Sequence, residues 1–354
     1  MDTATQLLYR QPSLPIFQNR MYNSRDEALE CRTGDMCLVQ NLRTGLISNQ
    51  AFRPDLLIYD SAYQNEQGVS ELFEAHMRGV MDIVDRSIGR RNLVEVGCGK
   101  GTFLEMLQES GFDVAGFDPT YEGTNPSVEK HLFSKGIGIK AEGLILRHVL
   151  EHIPEPVAFL QNLSEANQGA GRIYIEVPCL DWICERRTWF DIFYEHVNYF
   201  RLSDFHRIFG RVVEIGRVFG GQYLYVVAEL DSVRQPEMHD STEHFHFPSE
   251  FTAGICAGKY TTDRPAIVWG GASKGVIFSL LRSRAGFPVQ AVVDINPAKQ
   301  GKFLAGTGLK VEPPEEVVPR LKRGDPIFVM NSNYLKEIKT MTNNEFTYIQ
   351  TDNE

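Results

Sequence analysis

The stretch LVEVGCGKGTFLEML, residues 93–107, constrains the fold of this chain more than any other. A short apolar, β-branched run carries Glu95 near its end. Glycines follow at 97, 99 and 101, and apolar residues from Phe103 onward recur at helical spacing up to Gly111. Glycine alone turns this tightly while leaving no Cβ between the backbone and a ligand at a helix N-terminus. Val114–Phe117 is a second apolar strand and ends in Asp118. Strand, glycine turn, helix and strand make the βαβ unit of a parallel sheet. A dinucleotide fingerprint requires G-x-G-x-x-G. Here the third glycine comes one residue early and Thr102 stands in its place, which disfavours a nicotinamide dehydrogenase.

The chain has 354 residues. At about 150 residues per domain this predicts two or three domains. Leu72, Phe73, Met77, Val80, Met81 and Val84 predict an amphipathic helix over 70–88. Leu144–Leu146 and Arg172–Val177 read as further strands, separated by a helix near Val157–Asn167, and Met36–Gln40 reads as a strand in a turn-rich N-terminal region. A polar break over 231–263 carries His239, His244 and His246 and reads as a connection. Beyond it Ala266–Gly270, Ala291–Ile295 and Pro326–Met330 are strand-like, with helical stretches between them. The expected organisation is an N-terminal module over 1–70, a ligand-binding α/β domain over 71–232, a linker over 233–263 and a smaller α/β domain over 264–354.

Thirty-six basic against 46 acidic residues leave a formal net charge of −10, with no run of lysine or arginine. That argues against a nucleic-acid partner, whose phosphates call for concentrated positive charge. No apolar stretch is long enough for a membrane helix, and the N-terminus lacks the apolar core of a signal peptide. The six cysteines form no C-x-x-C pair, so no disulfide framework is expected. These features predict a cytoplasmic protein.

The acid before the first glycine, the G-x-G-x-G spacing and the acid closing the next strand resemble motif I of the class I S-adenosylmethionine (SAM) methyltransferases. The resemblance implies a Rossmann-like domain that binds SAM and releases S-adenosylhomocysteine. Glu95, Gly97, Gly99 and Gly101 would lie along the cofactor, and Asp118 would accept hydrogen bonds from the ribose diol, since a carboxylate can accept several at once.

The segments RHVLEHI (147–153), IYIEVP (173–178), YEHVNYF (194–200) and GGASKG (270–275) occur in the order seen in sugar C-methyltransferases that act on nucleotide-linked ketodeoxysugars. The chain resembles that family from about residue 30 to about 340. The resemblance implies a second, C-terminal Rossmann-like α/β domain and a nucleotide-linked sugar as substrate. C-methylation needs a base that removes a proton beside a carbonyl and donors that hold the oxyanion. Histidine suits the first task near neutral pH. His196 matches the family's base position and Glu195 precedes it; His152 matches the histidine before Ile-Pro. Tyr194 and Tyr199 could donate to the oxyanion or to sugar hydroxyls. His148 and Tyr63 are candidate cofactor contacts. Gly271, Ser273 and Lys274 could seat the substrate's diphosphate on helix amides. The aromatic run Phe190–Phe200 also reads as core packing.

Two departures from that family stand out. Its N-terminal zinc module has two C-x-x-C pairs, whereas only Cys31 and Cys37 stand here. Four ligands are usual for structural zinc, so no metal is expected. The family's tyrosine two places before the Glu of E-H is Phe193, with Tyr194 one place later. On a helix that would turn the side chain by about 100°. The alternatives are O- or N-methylation of another small natural-product or polysaccharide intermediate, and a non-catalytic SAM-binding protein.

Overall fold

The computed structural model describes residues 4–57, 70–256 and 266–352. In the N-terminal part, β1 (Thr5–Pro15), β2 (Thr33–Asn41) and β3 (Ile47–Asn49) form an antiparallel meander, with a short helix α1 (Arg25–Leu29) between β1 and β2. The middle of the chain runs α2 (Glu71–Ser87), β4 (Leu93–Val96), α3 (Thr102–Glu109), β5 (Val114–Phe117), β6 (Val128–Glu129) and β7 (Gly143–Arg147). It continues through α4 (Pro156–Ala166), β8 (Arg172–Pro178), α5 (Leu180–Glu185), β9 (Asn198–Tyr199), α6 (Leu202–Ile208), β10 (Val212–Val218) and β11 (Tyr223–Glu229). The last part holds β12 (Ala266–Trp269), α7 (Ser273–Arg284), β13 (Val289–Val293), β14 (Val311–Glu312), α8 (Pro314–Val317), β15 (Pro326–Val329), α9 (Leu335–Met341) and β16 (Thr347–Gln350).

The central sheet has the order β10-β11-β8-β7-β4-β5-β6. Strands β8, β7, β4, β5 and β6 are mutually parallel, and β11 enters antiparallel to β8. The C-terminal sheet, β14-β13-β12-β15-β16, is parallel throughout. Both are Rossmann-like. In each, the first strand (β4 or β12) has its successor on one side and a later strand on the other. The glycine turn after that strand therefore sits at the topological switch point, where open α/β sheets bind ligands.

Helices cover both faces of a parallel sheet, so its strands are continuous apolar runs. Leu144, Ile145 and Leu146 of β7 and Ile173 and Ile175 of β8 are fully buried, each contributing about 1.5–3 kcal/mol by leaving water. Helix α2 starts at Ser70, whose hydroxyl accepts from Leu72 N–H, and it buries Phe73, Met77, Val80 and Val84 as its periodicity predicts. The strands and helices expected from residue 70 to 178 form within one or two residues of their predicted limits. Strand β13 instead ends at Val293, so Asp294 lies past its end in the turn. The hairpin β10–β11 has no counterpart in the sequence reading.

The connection after β11 is less polar in space than in sequence. Phe251 is buried, with ring centroids 5.5 Å from Tyr9 and 4.7 Å from Phe247, so this segment caps the N-terminal sheet. That sheet also borrows a strand from the central region. β9 pairs antiparallel with β3, in the register Ile47↔Tyr199 and Ser48↔Asn198. No helix among the described residues is long and apolar enough to cross a membrane.

One packing constraint follows from the C-terminal turn. A Cβ at Gly275, in the first turn of α7, would lie 1.9 Å from the carbonyl oxygen of Gly270. Backbone cannot give way there without moving the helix, and overpacking of this kind costs about 1–3 kcal/mol or more. Gly275→Ala is expected to lower the thermal unfolding midpoint by several degrees. Gly79→Ala, on the exposed face of α2 with nothing within 4 Å of the new methyl, is expected to leave it unchanged or raise it slightly. Equal midpoints for the two variants would refute this account of Gly275.

Candidate active site

The carboxyl ends of the central and C-terminal sheets face one cavity of about 420 Å³. Its wall on the central-sheet side includes Glu95, Gly97, Gly99, His148, His152 and His196. The opposite wall includes Lys274, Asp294 and Asn331.

The first glycine turn is shaped by backbone geometry. Gly97 has φ +73°, and a Cβ there would meet Val149 Cγ2 at 2.6 Å. Gly99 has φ +55° with open space where a Cβ would stand. Asp118, just past β5, accepts the Gly99 N–H at 2.8 Å on Oδ2, and the Thr120 N–H and hydroxyl, each at 2.7 Å, on Oδ1. It thus pins the turn to the neighbouring strand. Asp118 and Gly101 do not line the cavity; Gly101 packs against Tyr121 instead. Glu95 is buried with Oε2 unpaired among the described residues. Burial raises its carboxyl to about 8, Arg147 opposing the rise and Asp118 adding to it.

Under this turn lies a charge network that the sequence reading did not identify. Glu176, fully buried on β8, faces Arg147 Nη2 at 3.0 Å, His76 Nε2 at 3.1 Å and His148 Nε2 at 3.1 Å, and it accepts from Tyr174 OH at 2.8 Å. Burial alone would raise its carboxyl, but Arg147, His148 and His76 hold it well below the usual range. Burial likewise opposes protonation of His148, yet Glu151 and Glu176 raise it to about 9. His148 is therefore a cation at the cavity wall, in a left-handed conformation (φ +52°). A signal was present in the sequence: Arg147 and Glu176 are charged residues in strands that are otherwise apolar, and buried charges occur where they are paired.

His152 and His196 stand together, with ring centroids 4.9 Å apart and planes at 83°. The His152 Nδ1 lies 3.0 Å from the carbonyl oxygen of Glu195. His196 is only 9% exposed, packs 4.1 Å from the Phe193 ring, and its Nδ1 has no partner among the described residues. Burial first, then the nearby imidazoles of His152 and His148, depress its pKa well below the ordinary value. It is a neutral imidazole at pH 7. Its segment is fixed on both sides. Val197 N–H donates to the Glu151 carbonyl at 2.9 Å, and Asn49 N–H donates to the Val197 carbonyl at 2.8 Å.

Three expected catalytic side chains turn elsewhere. Tyr194 accepts the Arg53 N–H at 2.9 Å on its hydroxyl and stacks on Phe52 at 5.5 Å, facing the N-terminal sheet. Tyr199 accepts from Phe193 N–H at 2.9 Å and lies 3.0 Å from the Phe193 carbonyl that it donates to. Neither tyrosine lines the cavity, whereas Phe193 does. The reason is local. Residues 192–197 are not helical, so the rotation expected from helical geometry does not apply. Glu195 is fully buried and its Oε2 accepts the Gln18 N–H at 2.9 Å, tying the N-terminal module to the His196 segment. Tyr63 lies outside the described residues.

The second glycine turn repeats the first. Gly271 N–H donates to Asp294 Oδ2 at 2.8 Å, as Gly99 does to Asp118. Lys274 Nζ lies 3.1 Å from Asp191 Oδ2, 3.1 Å from Gln222 Oε1 and 5.2 Å over the Trp182 ring. Burial raises the Asp191 carboxyl, with Lys274 opposing. Ser273 Oγ donates to Asn19 Oδ1 at 3.1 Å, and the side chains of Gln222 and Asn331 exchange two amide hydrogen bonds at 2.7 and 3.1 Å. Ser273 and Lys274, expected to cradle an anion, thus reach the cavity wall while bonding across the regions of the chain, whereas Gly271 does not line it. Asp191, Gln222, Asn331 and Asp294 escaped the sequence reading because their partners lie about 50 residues or more away, or beyond a strand whose end was misplaced.

Residues 68–212 match a family described as methyltransferase domain. Over 308 residues, 74% of this chain and 72% of the relative, the sequence is 25% identical to the C-methyltransferase NovU of Streptomyces niveus. Two solved structures share less than half of the chain. The 1,6-didemethyltoxoflavin-N1-methyltransferase of Burkholderia thailandensis is 18% identical over 44% of this chain and 78% of that one, with a TM-score of 0.34. The magnesium protoporphyrin IX methyltransferase of Synechocystis PCC 6803 is 17% identical over 44% and 82%, with a TM-score of 0.35. The Rossmann-like sheet, its glycine turn closed by an acid on the next strand, and the matched family agree: residues 68–212 form a SAM-dependent methyltransferase domain.

Proposed function

We propose that this enzyme methylates a carbon beside a carbonyl, with a nucleotide-linked keto-sugar as acceptor and His196 as the base. The supporting observation is the neutral, buried His196 with an unpaired Nδ1 on the wall of the cavity that the first glycine turn also lines. Similarity to a relative named as a C-methyltransferase points the same way.

The residues present fit SAM. The open space over Gly99 admits backbone contact, and the unpaired Glu95 Oε2 can accept from an ammonium group. When bound, SAM supplies an electrophilic methyl on a sulfonium. On this reading His196 takes the proton from the acceptor carbon. The C–H electrons would pass into an enolate, and SAM held along Glu95, Gly97 and Gly99 would supply the methyl for its carbon and depart as S-adenosylhomocysteine. Glu151, buried next to His152 in the chain, faces the resulting imidazolium with a carboxylate. Phe193 and Trp182 exclude water. Lys274, freed from Asp191, and the amides of the second glycine turn hold the diphosphate.

An acceptor deuterated at the carbon next to the carbonyl tests the chemistry. Carbon methylation releases one deuteron to solvent for each methyl transferred at a position bearing a single deuteron. Retention of the full label in the methylated product assigns the enzyme to O- or N-methylation instead.

A further inference from the structure

Glu151, His152 and His196 each direct a ligand atom to one place, and these atoms lie within 4.8 Å of one another. Two imidazoles and a carboxylate are the donor set of three-ligand zinc sites that keep a fourth position open. Hydrogen bonding already sets the lone pairs. The bond from His152 Nδ1 to the Glu195 carbonyl fixes the proton on Nδ1 and leaves the lone pair on Nε2, the arrangement that orients metal-bound histidines. Glu151 Oε1 is 3.4 Å from His148 Nδ1, while its Oε2 is buried without a partner among the described residues. His196, also nine-tenths buried, has its Nδ1 unpaired.

We propose that Glu151, His152 and His196 form a binding site for a divalent transition metal, with zinc as the fitting ion, whose fourth position opens to the cavity. A tetrahedral ion with bonds of about 2.0–2.1 Å brings its ligand atoms to roughly 3.3 Å from one another. Closing separations of up to 4.8 Å to that value takes shifts of the order of 1 Å in the ligand atoms. The segments bearing the ligands are already joined by the bond from Val197 N–H to the Glu151 carbonyl. The ion is an inhibitor on this view, not a cofactor, because it takes the lone pair that His196 would use. That consequence rests on the function proposed above; the binding does not.

The test is zinc titration of the full chain against a chromogenic chelator, with cobalt(II) absorption as a second readout. Wild-type protein is expected to hold one ion per chain at this site, with a cobalt spectrum lacking thiolate charge transfer. Glu151→Gln, His152→Ala and His196→Ala are each expected to weaken zinc binding at least tenfold, and replacing Cys31, Cys37 and Cys256 together by serine to leave it unchanged. Should Glu151→Gln fail to fold, as thermal unfolding would reveal, the half-buried His152→Ala decides the matter. Wild-type binding no tighter than that of His196→Ala, or binding lost with the cysteines, overturns the proposal. Tight zinc binding with undiminished methyl transfer would support the site and refute His196 as the base, so the two readings fail separately.

Discussion

The His196→Ala variant loses methyl transfer by about 10²–10⁴-fold, the contribution of a positioned general base, while its dissociation constant for SAM changes less than about threefold. Two features predict this split. The ring is buried on the cavity wall, so its loss removes the proton acceptor. The expected cofactor contacts around Gly97 and Gly99 rest on β4, β5 and Asp118 rather than on the His196 segment. His196→Asn keeps a polar group of similar reach but lacks a basic lone pair, and the same loss is expected. Single-turnover methyl transfer together with SAM calorimetry checks both quantities. A variant that turns over at the wild-type rate would remove His196 from the mechanism, and one that no longer binds SAM would make it a structural residue of the cofactor site.

Glu176→Gln lowers the stability of the fold by about 3–5 kcal/mol, the usual result of removing one partner from a buried ionic cluster. The substituted amide retains the shape but removes the carboxylate that faces Arg147, and leaves the cationic His148 at the cavity wall with Glu151 alone. The unfolding midpoint should fall by roughly 10 °C. His148 should also lose part of its raised pKa, because Glu176 is one of the two acids responsible. Adding Arg147→Met is expected to recover part of the loss, since an apolar residue needs no counter-charge. Thermal and denaturant unfolding measure the effect. A loss below about 1 kcal/mol for Glu176→Gln would mean that the network carries little of the stability.

How much was legible follows from the range of the signals. The βαβ unit at 93–118 was readable because periodicity, glycine freedom and strand patterning act over a few residues. His152 and His196 could be chosen as candidates because their motifs resemble a family, and the cavity contains both. Side-chain direction was not readable at Tyr194 and Tyr199. It depends on whether residues 192–197 are helical, and that is decided by the pairing of β9 with β3 from the N-terminal sheet. The same holds for Lys274, whose partners Asp191 and Gln222 come from the central region.

The sequence by itself determined a βαβ unit with its glycine turn at 93–118 and a second α/β unit after residue 264, since local spacing specifies a turn and a strand. It also held, unread, the signal of Arg147 and Glu176, two charges in otherwise apolar strands. Only the tertiary structure decided which pairs form, and that Glu195 anchors Gln18 while His196 keeps a ring nitrogen unpaired among the described residues, beside His152 and Glu151. These are contacts between segments far apart in the chain, selected by the burial of apolar surface and the cost of leaving polar groups unpaired. No local pattern encodes them.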